Sequence, residues 1–169
     1  MNRSAVMIAL SLFGAGALLA QHPVIAEQKA AYTNNKNNVI KAAEKMPEDA
    51  YTFKPTPEME TFGQRMIHIA NQIGTCSSLT GERKPNPAAG KTAKADIVAG
   101  LKTSFEACDT AWDGMNNETV QEMVAGRGGQ QRSKITVLIG NTTHNTEMYG
   151  YISVYMRLKG VVPPTSDRN

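Results

Sequence analysis

Between residues 27 and 159 the hydrophobic positions recur mostly three or four apart, the period of a helix buried along one face. The clearest stripe is Phe62, Met66, Ile69, Ala70 and Ile73, and a second is Ile97, Leu101, Phe105, Cys108 and Trp112. They predict helices over about 56–79 and 92–115. Thr56 suits the N-cap of the first of these, Pro57 its first turn, and Glu58 the positive end of its dipole. A weaker stripe, Val39, Ile40 and Ala43, lies in a segment rich in Ala, Lys, Gln and Asn and predicts a helix over 27–45. The last helix is predicted from a Ser133 cap to about Lys159, where Gly160 and then Pro163-Pro164 prevent continuation.

The polar punctuation between these stripes reads as connections. Met46-Pro-Glu-Asp49 turns the chain, Tyr51-Thr-Phe-Lys-Pro55 is extended, and residues 81–90, with Pro85 and Pro87, form a loop. Residues 126–131 are glycine-rich, but they lack the Lys-Ser/Thr pair and preceding strand of a phosphate-binding loop and read as a flexible turn. No strand run and no internal repeat stands out. The expected fold is all-α, an antiparallel four-helix bundle.

The start of the chain departs from this pattern. Arg3 precedes an uncharged apolar and small-residue run from Ala5 to Leu19, followed by small residues at Ala20 and Ala26. That is the layout of a secretory signal peptide over residues 1–26, cleaved after Ala20 or Ala26, leaving a single domain over 27–169 in the periplasm or outside the cell. The run is short for a membrane span, and no cysteine near it suggests a lipid anchor. The net charge of +3, which falls to +2 when Arg3 leaves with the leader, is too small to imply a nucleic-acid partner. With no Lys/Arg cluster, a basic membrane-binding face has equally little support. Two cysteines in an exported chain make Cys76 and Cys108 a disulfide candidate, the alternative being two buried thiols.

Candidate chemistry is sparse. Of three histidines, His22 leaves with the leader. His68 falls on the polar side of its helix with Gln64, Arg65 and Gln72, and His144 aligns with Val137, Asn141, Met148, Tyr151 and Tyr155. Two such imidazoles on facing helices could share a metal, or could be hydrogen-bonded or exposed side chains. Asp109 and Asp113 read as a solvated edge. Cys76 has no basic neighbour to make it a nucleophile, and the nine methionines are too scattered for a copper-carrier tract.

Three stretches carry a resemblance: Met46-Pro-Glu-Asp-Ala-Tyr-Thr-Phe-Lys-Pro-Thr-Pro57, Phe62-Gly-Gln-Arg-Met-Ile-His68-Ile-Ala-Asn-Gln72, and His144 through Tyr155-Met-Arg-Leu-Lys-Gly-Val-Val-Pro-Pro164. In order and spacing the chain resembles the DinB/YfiT-like family of metal-dependent four-helix proteins, over essentially its whole mature length. The resemblance implies a divalent metal, zinc or nickel, held by three histidines, two of them four residues apart on the last helix. It also implies hydrolase or thiol-transferase activity on a small molecule, and a homodimer as one arrangement. His68 and His144 take two ligand positions, but the third falls on Met148, a soft thioether better suited to Cu(I), and the family's usual glutamine falls on Tyr151. Glu147 is a candidate substitute ligand. The contrasting expectation is a non-catalytic bundle whose cleft, lined by Gln64, His68, Gln72, His144, Tyr151 and Tyr155, holds an organic ligand.

Overall fold

The computed structural model describes residues 23–167. Most of the expected leader therefore lies outside the described residues. The helices are α1 (Pro23–Lys45), α2 (Phe62–Ala70), α3 (Ile73–Ser78), α4 (Lys94–Asp113) and α5 (Lys134–Leu158). A two-stranded antiparallel hairpin, β1 (Met123–Ala125) and β2 (Gln131–Ser133), precedes α5, with Val124 opposite Arg132. With α2 and α3 as two halves of one arm, this is an all-α bundle of four arms.

Side-chain contacts fix how the arms run. Lys29 pairs with Asp113 and Glu44 with Lys102, so α1 and α4 are antiparallel. Arg65 meets Met148 while Asn141 reaches Gln72, so α2 and α5 are also antiparallel. By contrast Gln72 meets Ser104 and Cys76 meets Cys108, so α2–α3 runs parallel to α4. Asn35 bonds Thr146 and Lys45 bonds Asp167 beyond α5, so α1 and α5 are parallel too. The long connection after α3 makes this possible by carrying the chain back along the bundle. Asn86 in that connection donates to the Ile67 carbonyl, and Ala88 packs against Gly100 of α4 so closely that a Cβ at Gly100 would lie 2.8 Å from the Ala88 nitrogen.

The stripes read from the sequence form the core. Phe62, Met66, Ile69, Ala70 and Ile73, and Ile97, Leu101, Phe105, Cys108 and Trp112, are all buried. The polar α1 also contributes: Ile25 and Tyr32 are buried, and the Tyr32 ring stacks on Trp112, centroids 5.7 Å apart. Its hydroxyl lies 2.8 Å from Asp109, which also takes Lys36. Asp109 and Asp113 are thus inter-helix partners of α1 rather than a bare solvated edge.

Several boundaries differ from expectation. The second arm starts at Phe62, not at Pro57, because Thr61 and Gln64 form a reciprocal capping box that satisfies two orphan N–H groups at once. Residues 56–59 instead form a turn in which the Glu58 backbone N–H, and then the Thr56 hydroxyl, hold the Glu58 carboxyl below its usual range. Hydrogen bonding tightens at Gln72, whose N–H reaches the Ile69 carbonyl at 3.0 Å, and this divides the arm into α2 and α3. The glycine-rich segment is the tip of a hairpin where no strand was expected, with Gly128 and Gly129 at φ 75° and 78°. Ser133 precedes α5 as expected, but its hydroxyl meets Thr136 Oγ1 rather than a backbone N–H. Gly160, at φ 71°, ends α5 as anticipated, with the Val161 N–H closing on the Met156 carbonyl at 2.8 Å.

Candidate functional site

α2 and α5 cross so that His68 and His144 meet, their Nε2 atoms 3.0 Å apart. Both side chains are exposed at the mouth of a cleft of about 680 Å³, bounded by α2, α3, the loop after α3, the hairpin and the first half of α5. That volume is within the range of small-molecule sites.

A polar floor holds the cleft in shape. Gln72 Oε1 accepts from Asn145 Nδ2 at 2.5 Å and from Asn141 Nδ2 at 3.0 Å, while Gln72 Nε2 donates to Ser104 Oγ at 3.3 Å. Ser104 in turn donates to the Leu101 carbonyl. One buried amide therefore ties α2–α3 to both α4 and α5. Beneath it, Cys76 and Cys108 place their sulfurs at bonding distance with Cα atoms 4.8 Å apart, inside the span of a disulfide. The Asn141 amide lies 3.9 and 4.0 Å from the two sulfurs.

The residues singled out from the sequence divide into two groups. His68, Gln72 and His144 line the cleft together with Asn141 and Val137. Gln64, Tyr151 and Tyr155 do not, and for each a competing partner is the reason. Gln64 is spent on the Thr61 capping box. Tyr155 is fully buried, its hydroxyl donating to the Glu60 carbonyl at 2.7 Å and its ring packed edge-on to Phe53. Tyr151 lies under the Arg65 guanidinium, 5.2 Å from its carbon. Arg65 also claims Met148: its Nη1 approaches the buried Met148 Sδ at 3.9 Å and the Glu60 carboxylate at 3.1 Å. The other candidate ligand, Glu147, is exposed. Among the described residues no three His, Cys, Asp or Glu side chains gather as a metal-binding group.

The sequence missed Arg83, from the loop after α3, and Arg132, from β2, which also line the cleft. Arg132 was hidden because nothing marked its segment as a strand. Arg83 had one signal in principle, the glycine at 74: a Cβ there would lie 2.8 Å from the Arg83 guanidinium carbon.

No family model and no curated protein sequence matches the chain. Solved structures do. A DinB-like protein from Bacillus cereus matches with a TM-score of 0.68 at 19% identity, over 83% of this chain and 95% of that one. A second, the DinB-like protein YjoA from Bacillus subtilis, matches with a TM-score of 0.65 at 18% identity, over 84% and 99%. No described helix is long and apolar enough to cross a membrane. With its bundle and helix order on those two templates, the chain has the fold of the DinB-like proteins.

Proposed function

We propose that this chain is an exported DinB-like protein that binds a small molecule in the cleft between α2–α3, α5 and the hairpin, beside the remnant of a divalent-metal site. The observation that carries the reading is the pairing of Arg65 with Met148. Two imidazole nitrogens 3.0 Å apart can share a cation, since ligands about 2.0–2.1 Å from a tetrahedral zinc stand roughly 3.3 Å from each other. They can equally share one proton. What a catalytic zinc or nickel site needs beyond them is a third strong ligand. Here that position carries a thioether, buried and already faced by a guanidinium. A soft, weak donor in contact with a guanidinium that Glu60 already pairs does not fit zinc or nickel.

The second reading, a metal-dependent hydrolase or thiol transferase, is favoured by the convergence of His68 and His144 alone. Zinc and nickel titrations of the mature protein, beside a His68→Ala/His144→Ala variant, separate the two. Tight one-to-one binding that the variant loses would support the second reading; weak binding supports the first.

Export is proposed from the apolar run at Ala5–Leu19 together with the paired cysteines, which an oxidising compartment would join as a disulfide. Of the two cleavage points, Ala20 suits the fold better. Pro23–Ala26 form the first turn of α1, and Ile25 is fully buried, so removal through Ala26 would strip an anchor from the core.

A further inference from the structure

We propose that the cleft receives a small organic anion, one bearing a carboxylate or phosphate group, which Arg83 and Arg132 bind from opposite walls; Gly74 is the residue that seats Arg83. The proposal rests on the reading of the cleft as a ligand site and names its ligand class.

Charge is the first ground. Arg83, Arg132, His68 and His144 all line the cleft, and no Asp, Glu or Lys does. Asn71, Thr75 and Ser78 add neutral hydrogen-bonding groups along the α3 wall. A concave surface with two permanent cations and no carboxylate focuses positive potential on whatever enters.

The second ground is that the two arginines, both exposed to whatever enters, are not neutralised by a neighbouring carboxylate. The ion pairs among the described residues employ Arg65 and five lysines, but neither Arg83 nor Arg132. The third arginine beside the α2–α5 crossing, Arg65, is by contrast matched to Glu60. Guanidinium groups in a cleft without a carboxylate suit carboxylate and phosphate oxyanions, which they can bind with two parallel N–H donors.

Steric placement is the third. Arg83 lies over α3 where Gly74 has no side chain; a Cβ there would meet its Cζ and Nη2 at 2.8 Å. Gly74 is the second residue of α3 and is not among the positive-φ glycines, so the backbone does not itself require glycine there. On the hairpin side, a Cβ at Gly126 would meet Arg132 Cδ at 3.2 Å. One wall thus leaves room for a guanidinium head and the other for an arginine stem.

The test is calorimetric titration of the mature protein, stripped of metal on a chelating resin and at low ionic strength, with inorganic phosphate and with citrate, glycerol serving as neutral control. Saturable one-site binding of phosphate or citrate is expected, weakening as salt is raised. Arg83→Ala and Arg132→Ala should each lower affinity about tenfold, the scale of one charge-assisted contact. Gly74→Ala should weaken binding roughly threefold or more, with no loss of thermal stability, yet change nothing further once Arg83 is alanine. Absence of saturable binding, equal binding of glycerol, or full affinity in the Arg83→Ala/Arg132→Ala double variant would overturn the proposal. So would anion binding that appears only after zinc is added. Tight zinc binding together with anion binding by the metal-free protein would instead overturn the metal-poor reading and leave this one standing.

Discussion

Replacing Gln72 with leucine should loosen the bundle from the middle. Gln72 is 6% exposed, and its amide serves Asn145, Asn141 and Ser104, of which Asn145 and Ser104 are fully buried. The three losses are unequal. Ser104 keeps its bond to the Leu101 carbonyl, and Asn141 lines the cleft, where water can replace Gln72. Asn145 has neither recourse: its Oδ1 already has no partner, and its amide would be stranded in the core. An unsatisfied buried amide costs about 1–3 kcal/mol, against about 1 kcal/mol returned by the more apolar leucine. The net loss is up to about 2 kcal/mol, a fall in Tm of up to roughly 7 °C for a domain this size. Urea unfolding followed by circular dichroism reads it. The decisive variant is Gln72→Leu/Asn145→Leu, which removes both partners and should recover at least about 1 kcal/mol relative to the sum of the singles. Additive losses would refute the view that this network binds the helices as a unit.

Other expectations follow from separate parts of the fold. Tyr32 and Tyr51 have hydroxyl pKa values raised above the ordinary tyrosine range, first by burial and then by nearby carboxylates, Asp109 for Tyr32 and Glu44 for Tyr51. Both stay protonated in the fold but ionise near pH 10 when unfolded. Their stabilisation is therefore complete below about pH 10 and lost above it, at up to about 1.4 kcal/mol per pH unit each, and Tyr51→Phe should flatten the decline seen in alkaline unfolding. If Cys76 and Cys108 are joined across their separation of 32 residues, reduction or a double alanine variant should lower stability by about 3–4 kcal/mol. Titration of free thiols on unreduced protein should find none. Intact mass of the exported protein should place its first residue at Gln21; a chain beginning at Glu27 would contradict the structural role given to Ile25.

Much of the fold was legible because burial along α2, α3 and α4 is written in one-sided stripes such as Phe62–Met66–Ile69–Ile73. The parallel pairing of α1 with α5, and of α2 with α4, was not, since it depends on where a fifteen-residue loop returns and on Gly100 admitting Ala88. Helix starts failed where two caps competed: Thr56 and Thr61 look alike until Gln64 is seen to complete the second. At the site, His68, Gln72 and His144 were readable from helical phase. Tyr151 and Tyr155 share that phase with His144, yet one ring lies beneath Arg65 and the other is drawn into the core by Glu60 and Phe53. Phase gives direction about a helix axis; it does not say which neighbour arrives first.

The most direct measurement is a zinc and nickel titration of the mature protein beside its Met148→His variant, both stripped of metal beforehand. If the third ligand is what the site lacks, the native chain binds each metal weakly and Met148→His, relieved of the thioether, binds at least about a hundredfold more tightly. Tight one-to-one binding by the native chain, unchanged by Met148→His and abolished by His144→Ala, would show that the site is complete without residue 148 and would contradict the reading of it as a remnant.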